Sequence, residues 1–289
     1  MIGRQAKRRL QKDRGRLDHI LPQGYLAGFT SANRAGQLSV FNCKSRRWFE
    51  TGAAGVGAVK GFYDYSPGAN PMQTADDIFK PFEDKFPHVR RDLVSTDFAN
   101  WEDHLEFLLV FAQMMRARSP LYREHVLTQT KNIGMARVER VIEERPIKDR
   151  PGEFETHLEL NPSPITGTER EALVRNMAVT NMCGEIKHGA AWLAELNWCL
   201  LLAPDHRNPV ITSNNAVIME GKPPADVEAL KREGTTIYFP LCRQACLVGR
   251  ASKFAHRLEL FDPATLTRIR GHYMQPQNAF VYSPSRVSY

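Results

Sequence analysis

The spacing of the apolar residues changes twice along this chain, and this constrains the fold more than any other feature. In the middle, Trp101, Leu105, Leu108, Leu109, Ala112 and Met115 recur every three or four residues, as one face of a helix requires. Ile78, Phe79, Phe82 and Phe86 repeat in the same way. The spacing predicts helices over 74–85, 100–115, 121–144 and 168–193, the last opened by the capping-box pattern Thr168-x-x-Glu171. Toward the ends the period shortens. Residues 37–41 alternate as a strand, with a turn at 33–36 and a hairpin return beginning at 44–48. Short β-prone runs follow at 197–202, 210–212, 216–219, 235–239, 245–248 and 279–281, with helices expected at 223–232 and 263–270. Two stretches read as loops: glycine-rich 52–61 and the polar, proline-rich 145–164.

Strands, then helices, then strands imply the α+β class. The expected architecture is an N-terminal hairpin and C-terminal short strands forming a mixed or antiparallel sheet packed against a central helical bundle. The 289 residues suit a single α+β domain over 19–289, helical from about 74 to 195, preceded by a basic arm at 1–18. That arm carries Arg4, Lys7, Arg8, Arg9, Lys12, Arg14 and Arg16 against Asp13 and Asp18, so seven cations and two anions give +5 of the chain's +7. Such a segment offers salt-sensitive, sequence-blind contacts to phosphates, so Lys7, Arg8, Arg9, Lys12 and Arg14 are expected to bind RNA or DNA. It holds no apolar leader segment, and the chain has no run of 18 apolar residues, so a cytoplasmic protein without a membrane partner is expected. Cys43, Cys183, Cys199, Cys242 and Cys246 are odd in number and widely spread, which suits reduced thiols. If Cys242 and Cys246 share one strand, their even separation puts them on one face. No metal site and no cofactor is implied.

Several blocks together carry a family resemblance. The segment His19-x-x-Pro22-Gln23-x-Tyr25-Leu26-x-x-Phe29 resembles the opening signature of the mainly bacterial domain of unknown function 4238 family. The strand at 38–41, the helix end Met115-Arg116-Ala117-Arg118-Ser119-Pro120, the segment Ile211-Thr212-Ser213-Asn214-Asn215-Ala216-Val217, Phe239-Pro240-Leu241 and Asn278-Ala279-Phe280-Val281-Tyr282-Ser283 match further blocks in order. Two positions depart from the family pattern: its usual Asp is Asn214 here, and its usual Pro is Ala216. The resemblance implies no activity.

The chemistry must therefore be read from side chains. The imidazole of His19 is a group suited to moving protons, with Gln23 four residues on and the Tyr25 hydroxyl nearby. Arg116, ending an apolar helix, can stabilise charge on a phosphate, and Arg118 can contact one. Asn214, Asn215 and Asn278 can offer amides to a base edge or phosphate. The expected catalytic set is His19, Gln23, Tyr25, Arg116 and Asn214, and the expected nucleic-acid contacts add Arg118, Asn215 and Asn278 to the arm. The function expected is an enzyme acting on nucleic acid, a ribonuclease serving as a toxin or phage-defence effector. The alternative is a binding module without turnover. Glu185-x-x-His188 has di-iron spacing but stands alone, so it predicts no metal centre.

Overall fold

The computed structural model describes residues 17–31, 36–63, 75–131, 136–146, 154–165, 167–220 and 234–287. The expected arm contacts Lys7 to Arg14 and the expected helix at 223–232 lie outside these residues. The chain is α+β, as its changing period predicts. The first elements are β1 (Leu17–His19), α1 (Gln23–Leu26), β2 (Gln37–Asn42), β3 (Arg47–Gly52) and β4 (Ala58–Lys60). The helical middle holds α2 (Ala75–Ser95), α3 (Leu105–Ala117), α4 (Pro120–Lys131) and α5 (Gly167–Ala194), with the hairpin β5 (Ala136–Pro146) and β6 (Phe154–Pro164) between the last two. Then come β7 (Asn197–Leu202), β8 (Thr212–Ser213), β9 (Ile218–Glu220), β10 (Thr236–Cys242), β11 (Ala245–Arg250), β12 (Leu258–Leu260), α6 (Pro263–Tyr273) and β13 (Phe280–Ser283).

The strands form two main sheets rather than one. The first runs β12-β7-β11-β10-β9, antiparallel except where β12 lies parallel to β7. The second runs β3-β2-β13-β8, so the early hairpin does join late strands, through β13 paired to β2 from Phe280↔Asn42 to Ser283↔Ser39. Side chains in the five-stranded sheet divide by period two. Trp198, Leu200, Ile237, Phe239, Leu241 and Leu247 enter the core shared with α1, α2, α3 and α5. Cys199, Leu201, Tyr238, Cys246 and Val248 enter a second core with α6, β2 and β13. Both faces are covered, which explains why β7, β10 and β11 read as nearly unbroken apolar runs.

Four sequence expectations need correction. The helix expected over 121–144 stops at Lys131, and the expected loop at 145–164 is mostly strand, because β5 and β6 pair residue for residue from Ala136↔Pro164 to Pro146↔Phe154. Charged residues at 139–140 and 143–145 hid the strand, since a hairpin outside the main sheets need not bury either face. The loop at 52–61 contains β4, which pairs with β1. Cys242 and Cys246 do not share a strand: the first ends β10, the second lies in β11, and Cys246 faces Pro240.

An aromatic wedge locks the first helix in place. Tyr25 lies 5.2 Å from Phe29 and stacks on Phe239 at 5.9 Å, while Phe86 and Phe111 stack at 4.2 Å. These rings join α1, α2, α3 and β10 in one cluster. Behind it α3 packs against α5, where Gly189 meets the Gln113 side chain. A Cβ at Gly189 would lie 2.2 Å from Gln113 Cδ, so the helices fit only because a hydrogen stands there. Gly189→Ala should overpack this contact and lower stability by roughly 1–3 kcal/mol, read as a reduced urea midpoint at unchanged slope.

Candidate functional site

The opening signature divides between core and surface. Pro22 and the helix after it bury Tyr25, Leu26 and Phe29, while His19 is partly exposed and Gln23 exposed. His19 closes strand β1 rather than sitting in a helix, yet Gln23 still reaches it. The amide Nε2 of Gln23 lies 3.2 Å from His19 Nε2. An amide nitrogen only donates, so in this contact His19 Nε2 is the acceptor. The turn is held from outside by the backbone of Gly57, whose carbonyl accepts both Ile20 N–H and Leu21 N–H.

Tyr25 is placed differently from the expectation. It is fully buried, and its hydroxyl bonds Thr212 Oγ1 and donates to the Pro240 carbonyl, both at 2.9 Å. Burial drives its pKa well above that of a free tyrosine. Its hydroxyl anchors α1 to β10 beyond the point where β9 stops pairing, and it does not face a substrate.

The arginine that meets His19 is Arg118, not Arg116. Arg118 is 1% exposed. Its Nη2 donates to the His19 carbonyl, its Nη1 pairs with Glu83, and its Nε donates to Tyr63 Oη at 2.7 Å. The Phe79 ring covers the guanidinium at 4.7 Å. Burial pulls its pKa down, but Tyr63 and Glu83 outweigh this and the net direction is upward. Two residues of helix turn a side chain through about 200°, so Arg116 points to the opposite side. There it lies 5.1 Å from the Tyr122 ring and donates to Gln113 Oε1 at 3.4 Å. Burial lowers its pKa. Arg116, expected to act with His19, therefore lies away from it, and Arg118, expected to contact a phosphate, is a buried clamp.

None of the three asparagines bonds His19: Asn215 and Asn278 bond each other, and Asn214 bonds the backbone of β13. Asn215 Nδ2 donates to Asn278 Oδ1 at 2.8 Å, and Ser213 Oγ donates to the same oxygen at 2.9 Å. Asn278 Nδ2 donates to the carbonyls of His272 and Tyr273 at the end of α6. Asn215 Oδ1 accepts Leu121 N–H in the first turn of α4. Asn214 Oδ1 accepts Phe280 N–H at 3.0 Å. All three are at least 96% buried, and their amides are engaged in joining β8, α4, α6 and β13. A carboxylate oxygen could accept the Phe280 N–H equally well, so the Asp-to-Asn departure at 214 preserves this bond.

One polar cluster escaped the sequence reading. His272 Nε2 lies 2.8 Å from Glu220 Oε1, Tyr238 Oη donates to Glu220 Oε2 at 2.9 Å, and Arg268 donates to Tyr238 Oη at 3.0 Å. Glu220 is pulled below its ordinary pKa: burial pushes it up, but the bonds from His272 and Tyr238 and the charge of Arg268 prevail. Its members come from β9, β10 and α6, so no local spacing announces them. A separate apolar cavity of about 870 Å³ is lined by Trp101, Leu109, Ala190, Trp198 and Phe254 and by none of the expected site residues.

Residues 18–274 match the family model described as protein of unknown function (DUF4238). The chain belongs to the DUF4238 family. No curated protein matches it, and no solved structure matches it. In this DUF4238 member the matched region covers β1 to α6 and so includes both His19 and the Glu220–His272 pair. No helix among the described residues is long and apolar enough to cross a membrane.

All five cysteines are free thiols, and the described residues hold no group of three or more metal-ligating His, Cys, Asp or Glu side chains. Burial pushes Cys183 up to about 11 and Cys199 to about 12, against 9.0 for a free thiol. An unfolded thiol therefore releases its proton before a folded one does. Stability from these groups is complete below pH 9 and is lost as pH rises toward 11–12, so the urea midpoint should fall over that window. Arg118→Met should be far more severe, because it leaves Glu83 without its buried partner. The loss should be about 3–5 kcal/mol by chemical denaturation.

Proposed function

We propose that this protein is an enzyme acting on nucleic acid, a ribonuclease of the cytoplasm serving as a toxin or phage-defence effector, with His19 as its general acid–base. The observation that carries the reading is the state of that imidazole. It is partly exposed, its Nε2 lone pair faces the Gln23 amide, and its backbone carbonyl is clamped by a buried guanidinium. A base must be reachable and held in place, and the exposure of His19, its Gln23 contact and its clamped carbonyl support that role. The basic residues 1–16 run directly into β1, so phosphates gathered by Lys7, Arg8, Arg9, Lys12 and Arg14 would be delivered beside it. The unpaired thiols suit a reducing compartment.

In this reading His19 Nε2 takes the 2′-hydroxyl proton when Gln23 yields to substrate. The 2′-oxygen bonds to phosphorus, the P–O5′ bond breaks, and the imidazolium returns a proton to the leaving 5′-oxygen. Gln23 orients the ring, and Arg118 with Glu83 positions the strand end that carries it. The second reading, a binding module, is favoured by the concentration of charge in residues 1–18 rather than around His19.

Purified protein incubated with total RNA should release fragments, and His19→Ala should slow this by about 10²–10⁴-fold. Gln23→Ala should flatten the pH profile with a smaller loss of rate. Full cleavage by His19→Ala overturns the assignment. Salt-dependent RNA binding that disappears with deletion of residues 1–16, and no product from the intact chain, selects the binding module instead.

A further inference from the structure

A cleft of about 360 Å³ lies between the end of α1 and the β10–β11 turn, lined by Gly28, Thr30, Ser31, Arg90, Arg243 and Gln244 among others, with no carboxylate among its lining residues. Arg90 comes from α2 and Arg243 from the turn. Each is tethered by one guanidinium nitrogen to a backbone carbonyl. Arg90 Nη1 donates to Gly24 O at 2.7 Å, and Arg243 Nη1 donates to Thr30 O at 2.8 Å. Among the described residues, neither guanidinium forms an ion pair with Asp or Glu.

The local backbone makes room for this pair. A Cβ at Gly28 would lie 2.9 Å from Arg90 Nη1 and 3.1 Å from Cys242 Cβ, so a side chain there would drive Arg90 out. The Gly28 carbonyl also accepts Arg243 N–H at 3.0 Å, which brings both arginines to one residue. Buried Cys242, at the end of β10, also lines the cleft. Burial lowers the pKa of Arg90, and the nearby charge of Arg91 adds to this.

We infer that this cleft is an oxyanion site that takes a phosphate group between Arg90 and Arg243. Two guanidinium forks match the charge and the tetrahedral oxygens of a phosphate better than a single carboxylate would. The exposed Gln244 amide can close the site from the rim. Neither His19 nor Gln23 lines it, so the inference stands apart from the reading of His19 as a catalyst.

The phosphate can belong to a small phosphorylated molecule or to a nucleic-acid backbone. Titration of the full chain at constant ionic strength, followed by thermal shift, separates these with three probes: inorganic phosphate, a nucleoside 5′-monophosphate, and an oligoribonucleotide lacking terminal phosphates. Saturable stabilisation by the first two identifies a terminal phosphate, and by the third an internal one. Arg243→Gln should weaken the binding probe about tenfold, the loss of one charged hydrogen bond. Gln244→Glu, at an exposed position that does not threaten folding, should weaken it several-fold by adding a carboxylate to the rim. Lys80→Gln, an exposed charge elsewhere on α2, should leave it unchanged. Absence of saturable binding by all three probes, no effect of Gln244→Glu, or an equal effect of Lys80→Gln overturns the site. His19→Ala is silent in this assay, so loss of ribonuclease activity and loss of phosphate binding are separately read.

Discussion

A guanidinium sealed from water must find a partner for each of its faces, and in this fold Arg118 recruits them from three parts of the chain. Glu83 comes from α2, Tyr63 from the segment after β4, and the His19 carbonyl from β1. Phe79 supplies the ring above it. Replacing such a cluster by packed apolar groups can be neutral, but removing one member leaves an unpaired charge in the interior. The geometry of the first strand thus depends on the end of a helix about a hundred residues later. That dependence also gives His19 a fixed backbone in spite of its position near the beginning of the described chain.

The break between α3 and α4 performs a second task. Arg118 and Ser119 separate the two helices, and Asn215 accepts the Leu121 N–H in the first turn of the second. Through Asn278 the same amide network reaches the end of α6, while Asn214, just after β8, separately holds the start of β13. Within four residues, 118 to 121, the helical layer therefore holds both the first strand and the closing segment. Polar groups that a reader of the sequence would assign to ligand contact are spent on this internal joinery.

The long helices were legible because apolar residues on α3 and α5 keep a steady period, and the β2–β3 hairpin because its alternation is clean. The β5–β6 hairpin was not, since its strands carry few apolar positions and several prolines. His19 and Gln23 were rightly paired, though a tight turn brings them together rather than a helix. The two arginines were exchanged: their spacing alone says that they point apart, but not which one faces β1. Tyr25 was expected among the catalytic residues, but its ring is core and its hydroxyl is bonded inward to Thr212 and Pro240. Arg90, Arg243, Glu220 and His272 gave no local signal because each meets its neighbours only across the tertiary fold.

The placement of β13 has an implication for how the protein is made. Strand β2 has β3 on one side, but its other edge is covered only by residues 280–283. On the ribosome, that edge emerges well before its partner and stays open until residues 280–283 have been synthesised. An open edge is a template for pairing with another chain, so nascent molecules on one messenger are exposed to mutual strand capture throughout translation.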